Sequence, residues 1–253
     1  MHSAANSNKL IIALSRWLPV CTLLLMGACS GHSRKPDFNG VWQMARADAV
    51  VRPEWDESNY TAEAQRRTEY YRNHFAKYGD EPAKFCYHPG MPWLMLTYAR
   101  DYPYEIYQSD KRIDVAFEPM DLWRVIHFDM TTFPESFPPS RMGLSLAHWE
   151  GRELVIETRN MIATNETAAP VHRSAAARVQ ERWRLLDDAE FGKVIEITYE
   201  LDDPALYKQP AKGRQLLKPA PKGTVLGGYN CPEASWDDFV ARRKAEVDAA
   251  QGH

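Results

Sequence analysis

Four polar side chains have types and surroundings that could do chemistry: Arg124, His127, His172 and Glu181. Glu181 falls on the apolar face of a segment with period two, where a buried carboxylate needs a cationic or hydrogen-bonding partner. Arg124 or His172 could be that partner. A histidine beside a carboxylate can transfer protons near neutral pH, so the four residues could line a cavity and act on a polar group. The alternative is a structural ion pair that fixes the strand register.

The predicted site therefore has a catalytic and a binding part. The predicted catalytic residues are His127, His172 and Glu181. The predicted ligand-binding residues are Arg124, Ser145, Trp149 and Trp183. Ser145 belongs to neither a Gly-x-Ser-x-Gly turn nor a Ser-x-x-Lys motif, so we expect a small strand residue there rather than a nucleophile.

Metals, organic cofactors and nucleic acids are not expected partners. The histidines and cysteines show no His-x-His or Cys-x-x-Cys spacing of the kind that holds a metal. No glycine-rich phosphate-binding motif is present, so we expect no nucleotide cofactor. The chain has 31 basic and 34 acidic residues with a net charge of −3, and no basic run that would attract nucleic acid.

Alternating apolar and polar residues predict that β-strands position these side chains. The predicted strands are residues 38–44, 104–109, 112–118, 123–128, 144–150, 153–158, 179–186 and 193–201. The turn between the fifth and sixth strands is Gly151-Arg152, because glycine readily adopts the positive φ of a tight turn. Residues 202–232 are rich in proline and glycine, and we expect a long loop there.

Two segments have helical rather than strand periodicity. Residues 61–78 place their apolar side chains at intervals of three and four, and Gly79 follows at a position typical of helix ends. Ser235 to Asp238 are typical of a helix start, which predicts a final helix to about Ala249, with Trp236, Phe239, Val240 and Val247 facing inward. The expected fold is mainly β, an antiparallel up-and-down barrel or a strongly curved sheet with two flanking helices.

The first 28 residues have the features of a secretory signal peptide: basic residues, no acidic residue and a short apolar run. Residues 26–29, Met-Gly-Ala-Cys, are similar to the site that the lipoprotein signal peptidase cleaves. We therefore expect acylation of Cys29, a tether over residues 29–36 and one domain over residues 37–253. Ser30 after the cysteine favours the outer membrane, with the protein facing the periplasm. Its acyl chains would bind the lipid bilayer.

The cysteines fit an oxidising compartment. Once Cys21 is removed with the signal peptide and Cys29 is acylated, Cys86 and Cys231 remain. We expect these two to form a disulfide bond, with two buried free thiols as the alternative.

Two sequence blocks carry a resemblance to known proteins. Residues 37–42, Asp-Phe-Asn-Gly-Val-Trp, resemble the Gly-x-Trp first strand of lipocalin-like barrels. Residues 145–151 form a Ser-x-x-x-Trp-Glu-Gly block, and 172–174, 181–183, 202–204 and 231–233 follow it in order. Together they resemble a family of exported bacterial lipocalin-like, calycin-type barrels. The resemblance implies the barrel fold and brings no reaction with it.

Three functions are compatible with these features. The first is a lipocalin-like barrel that binds a hydrophobic or amphipathic small molecule, as the aromatic content also suggests. The second is a cofactor-independent isomerase, dehydratase or hydrolase that uses the histidine, glutamate and arginine side chains. The third is an envelope scaffold that contacts another envelope protein through residues 202–232.

Overall fold

The computed structural model describes residues 35–45, 51, 56–80, 82–96, 102–164, 172–229 and 234–251. All of them belong to the unit that spans residues 33–253. The predicted signal peptide, Cys29 and Cys231 lie outside the described residues.

Nine strands in this part of the chain form a closed barrel in sequential order. They are β1 (Gly40–Met44), β2 (Tyr104–Gln108), β3 (Arg112–Phe117), β4 (Leu122–His127), β5 (Leu144–Glu150), β6 (Glu153–Arg159), β7 (Arg178–Asp188), β8 (Gly192–Asp202) and β9 (Ala211–Pro219). The mainly β barrel predicted from the alternating pattern is therefore confirmed.

One neighbouring pair of strands is parallel. With nine strands that alternate in direction, closure of the barrel requires one such pair, and it is β4–β5. Its ladder consists of Ile126 opposite Ser145 and His127 opposite Leu146. The predicted antiparallel barrel therefore contains one parallel junction, which we call the parallel seam.

Strand β9 corrects the prediction of a loop over residues 202–232. It pairs with β8 and β1 and closes the barrel. Its inward positions hold Ala211, Gly213, Gln215 and Leu217, so the usual apolar alternation is weak. Gly213 has no side chain because the Tyr199 ring covers it: a Cβ there would lie 1.9 Å from that ring.

The described residues include three α-helices: α1 (Ala62–His74), α2 (Trp93–Leu96) and α3 (Ala234–Gln251). Of these, α2 contributes Trp93, Leu94 and Met95 to the main core. Helix α1 confirms the predicted first helix, and a short 3-10 turn then ends at Gly79, which has a φ of 73°. Helix α3 confirms the last predicted helix. Phe239 and Val240 pack against a small cluster around Phe75, as expected for inward-facing residues. The side chains of Trp236 and Val247 lie outside the described residues.

The barrel interior holds the main hydrophobic core. Its largest buried side chains include Phe38, Tyr104, Phe117 and Trp183. The Phe38 ring stacks on Trp149 at 5.9 Å and meets Trp183 edge-on at 5.8 Å. Burial of such aromatic side chains supplies much of the stabilisation of a barrel of this size.

Candidate functional site

A polar cluster lies inside this apolar interior. Arg124 and Glu181 form a two-pronged ion pair in which Nη1 donates to Oε1 at 3.1 Å and Nη2 donates to Oε2. The guanidinium also donates to Ser145 Oγ at 3.1 and 3.2 Å and to Thr158 Oγ1 at 3.0 Å. Trp183 Nε1 donates to Glu181 Oε1 at 3.3 Å. We call Arg124, Ser145, Thr158 and Glu181 the inner cluster.

The strand register explains why these residues meet. Ser145 lies opposite Thr158, and Thr158 opposite Val179, two residues before Glu181 on β7. Arg124 lies two residues before Ile126, the partner of Ser145 across the parallel seam. Because side chains two residues apart share a face of the sheet, one inward residue from each of β4, β5, β6 and β7 reaches the same point. The cluster therefore connects the sheet across its shortest ladder.

The inner cluster satisfies its own charges. Arg124 and Glu181 are each 1% exposed. All three guanidinium nitrogens donate to protein oxygens, and both Glu181 oxygens accept. Of the two partners considered for Glu181, Arg124 and His172, the structure pairs it with Arg124. This pairing has the completeness that a buried ion pair needs in order to offset the cost of removing two charges from water.

The two predicted catalytic histidines lie elsewhere. His127 is on the outer face of β4, partly exposed, with Nδ1 3.4 Å from Asp129 Oδ1. His172 is buried beside α1. Among the described residues, no hydrogen bond links either histidine to Glu181. Arg124 and His127 are three residues apart on β4, so they occupy opposite faces of the strand and cannot line one cavity, contrary to the prediction.

His172 is held in one tautomer. Its Nε2 lies 2.7 Å from Thr68 Oγ1, whose hydroxyl donates its only proton to the Ala64 carbonyl at 2.9 Å. Nε2 must therefore be the donor to Thr68, which leaves Nδ1 as an acceptor. That atom is buried and has no hydrogen-bond partner within the described ranges. Burial, together with the positive charge of Arg67, lowers the pKa of His172 to about 4, so the imidazole is neutral at pH 7.

Arg173, the next residue, is a buried cation that the sequence did not single out. Its guanidinium donates to the carbonyls of Pro89 at 3.0 Å, Ile162 at 2.6 and 2.9 Å, and Met91. It also lies 5.5 Å from the Trp93 ring centre. Burial lowers the pKa of Arg173 to about 10. The guanidinium therefore ties two loops together through backbone carbonyls.

Two blocks of the sequence resemblance meet beside Arg173. Ser174 donates to both oxygens of Asp203, from its backbone nitrogen at 2.6 Å and from its hydroxyl at 2.8 Å. The Tyr207 hydroxyl donates to the His172 carbonyl at 2.9 Å. We call His172 and Arg173, together with Ser174, Asp203 and Tyr207, the end clasp. These contacts give structural partners to Ser174 and Asp203, one residue from each block.

A groove of about 1000 Å³ lies on the outside of the barrel. Leu146 and Val155, on the outer faces of β5 and β6, form its floor, and residues 128–133 after β4 form a wall. We call this space the outer groove. Its lining also includes Lys35, Asp110, Ala147, His148, Trp149, Glu157, Arg159 and Gln180.

Of the four predicted ligand-binding residues, Trp149 lines the outer groove, while Arg124, Ser145 and Trp183 lie in the interior. At Trp149 the groove reaches the barrel rim, where Phe128 stacks on the indole at 6.1 Å. Lys35 Nζ lies 5.8 Å from the Trp149 ring centre. The sequence signal for the groove was weak, since Leu146 and Val155 had the pattern of a sheet buried on both faces.

Cys86 is disulfide-bonded. Its predicted partner, Cys231, is not among the described residues, so the Cys86–Cys231 pairing stays a prediction. Within the described ranges, no group of three or more His, Cys, Asp or Glu side chains could hold a metal ion. No helix in the same part of the chain combines the length and apolar character needed to cross a membrane.

Comparison with known proteins adds no family. No family model and no curated protein matches the chain. The resemblance to exported lipocalin-like barrels therefore stays an expectation from the residues, while the barrel itself is seen directly.

Proposed function

We propose that this protein is an exported, lipid-anchored barrel that binds an amphipathic small molecule in the outer groove. The observation that carries the proposal is the groove itself: an apolar floor and wall with charged groups at its rim. Its volume of about 1000 Å³ is in the range of small-molecule sites.

The lining of the groove matches a molecule with an apolar body and a polar end. Leu146, Val155, Phe128, Met130 and Phe133 provide apolar contacts. Charged side chains of both signs surround them: Lys35, Asp110, Glu157 and Arg159. Burial of an apolar chain there would be favourable, while a polar headgroup could remain hydrated and pair at the rim.

The barrel interior is a less suitable place for the ligand. The inner cluster already uses the donors of Arg124 and the acceptors of Glu181. The aromatic rings of Phe38, Trp149 and Trp183 pack against one another. A ligand that entered the interior would have to break these contacts, whereas the outer groove is open to solvent.

The proposed lipid anchor would hold the outer groove close to the membrane. Lys35, which lines the groove, is six residues after Cys29 in the sequence. A chain of that length spans at most about 20 Å. With Cys29 acylated, the groove would thus lie close to the membrane surface, where amphipathic molecules concentrate.

The test is displacement of a fluorescent fatty acid by lysophosphatidylethanolamine from the purified chain that begins at residue 30. Phe133→Asp places a charge in the groove wall, and we expect about tenfold weaker binding. Val225→Asp is the matched control, because Val225 is an exposed apolar loop residue that does not line the groove. Failure of the chain to bind either lipid, or equal binding by the two variants, would refute the proposal.

A further inference from the structure

Two large aromatic side chains are exposed on the outer face of strands β2–β4. Trp123 is 56% exposed and Tyr107 is 45% exposed. Their rings are nearly parallel, with an interplanar angle of 12° and centroids 6.3 Å apart. Neither ring lines the outer groove. Paired exposed aromatic rings are costly to leave in water, and such patches commonly mark an interaction site.

The strand register shows how the rings come together. In one row across the sheet, Glu105, Ala116 and Trp123 lie side by side. In the next row, Asp114 separates Tyr107 from β4. The rings therefore meet diagonally across β3. The small Ala116 gives them room, and its methyl is buried although it lies on the outer face.

Polar groups of both kinds surround the rings. The Tyr107 hydroxyl donates a hydrogen bond to the Glu105 carboxylate, which raises the pKa of Tyr107. Asp114 is held by Arg112, whose Nε donates to Oδ2 at 2.9 Å. Carboxylates accept hydrogen bonds and a guanidinium donates them. We call Tyr107 and Trp123, with Glu105, Arg112 and Asp114, the aromatic platform.

We propose that the aromatic platform binds the ring face of a carbohydrate. A sugar ring has an apolar C–H face that packs on aromatic rings and a rim of hydroxyls that both donate and accept. The platform offers the same combination: two nearly parallel, partly exposed aromatic rings with acceptors at Glu105 and Asp114 and a donor at Arg112.

Other occupants fit this surface less well. A cationic partner would favour the rings and carboxylates, but it would be repelled by Arg112. An acyl chain would bury the two carboxylates and offer no donor to the lone pairs that Tyr107 and Arg112 leave unused. A sugar satisfies the polar groups and the rings together, and its site is separate from the outer groove.

The experiment is native electrophoresis of the purified chain through gels that contain soluble polysaccharide, either hydroxyethyl cellulose or glycol chitin. Affinity is then measured with the matching oligosaccharide by tryptophan fluorescence. We expect retardation of the wild-type chain in at least one gel. Trp123→Ala should weaken binding about tenfold because it removes the larger ring, and Trp123→Phe should restore part of it.

Tyr78→Ala is the matched control, since Tyr78 is an exposed aromatic residue on a different surface. It should bind as the wild type does, and so should the groove variant Phe133→Asp, which separates this inference from the proposed function. Trp123 is exposed, so an unchanged melting temperature should show that its variants fold. The inference is overturned by no retardation in either gel, by equal binding of Trp123→Ala, or by binding only to anionic lipid vesicles or polyarginine.

Discussion

The inner cluster and the end clasp each contain a fully buried arginine, but the two cations are stabilised in different ways. Arg124 faces a carboxylate, Glu181, inside the barrel. Among the described residues, Arg173 donates hydrogen bonds to no carboxylate and instead donates to the carbonyls of Pro89, Met91 and Ile162. One arginine is half of an ion pair between strands, and the other is a bridge between loops.

The kind of partner determines whether each buried arginine can be replaced. A buried charge and its counter-charge can be replaced together by apolar side chains, because no buried charge is then left without a partner. A cation that satisfies backbone carbonyls cannot be replaced in this way, because the carbonyls remain whatever the side chain. We therefore expect the inner cluster to be exchangeable as a unit and the end clasp to depend on arginine itself.

The largest effect should come from breaking the ion pair on one side. Glu181→Leu leaves the Arg124 guanidinium buried without its counter-charge, and we expect a loss of about 4 kcal/mol in the free energy of unfolding. The measurement is urea denaturation of the wild type and the variant. Arg124→Met should cost a similar amount, since it leaves the Glu181 carboxylate without its partner.

The double variant Arg124→Met with Glu181→Leu is the sharper test of exchangeability. Ser145 and Thr158 keep a hydrogen bond to each other at 2.9 Å, so few polar groups would be left unpaired. We expect the double variant to recover to within about 1 kcal/mol of the wild type. If its loss equalled the sum of the two single losses, the inner cluster would not behave as a unit.

The next effect should appear in the pH dependence of the end clasp. The pKa of His172 is about 4 in the folded chain, because burial disfavours the imidazolium, and 6.5 is its ordinary value. Between these values the unfolded chain binds a proton that the folded chain does not, so stability falls as the pH falls. From pH 7 to pH 4 the loss due to His172 should be about 3 kcal/mol.

The control for this prediction is His172→Gln, which keeps an amide donor for Thr68 but does not titrate. Other carboxylates also contribute to acid unfolding, so the quantity to compare is the difference in slope between the wild type and this variant. Unfolding free energies that depend equally on pH in both chains would show that His172 is protonated without cost in the folded state.

The sequence predicted the barrel because the strands alternate apolar and polar residues, but it grouped Arg124 and Glu181 with His127 and His172 and did not single out Thr158. The position of Glu181 on an apolar strand face predicted a buried partner, either Arg124 or His172, and the structure has Arg124. The sequence did not predict β9, because its inward positions include Gly213, which the Tyr199 ring covers, and Gln215, whose amide donates to the Tyr104 hydroxyl.

The end clasp was harder to predict for a different reason. Arg173 contacts backbone carbonyls, and any residue can supply a carbonyl. The side chains of residues 89–91 and 162 therefore contain no pattern that predicts the hydrogen bonds from Arg173 to their backbone carbonyls. The outer groove was missed in a similar way, because it depends on the path of residues 128–133 over β5 and β6 rather than on a motif.

The smallest predicted effect tests the end clasp at Arg173 itself. Arg173→Lys keeps the positive charge but loses the planar fork that reaches carbonyls in two loops, and we expect a loss of about 2 kcal/mol. Hydrogen exchange should locate this loss. The amides of Met91, Ile162 and Thr164 should exchange faster, since these loops are held through Arg173.

In Arg173→Lys, the amides of strands β5–β8 should keep their protection from hydrogen exchange. In Glu181→Leu, amide protection should fall throughout the barrel. This contrast follows from the two kinds of partner: strands share their stability through the ladder, and loops held by one side chain open locally. Equal loss of protection in β5–β8 and in the loops of Arg173→Lys would mean that both arginines support one cooperative core.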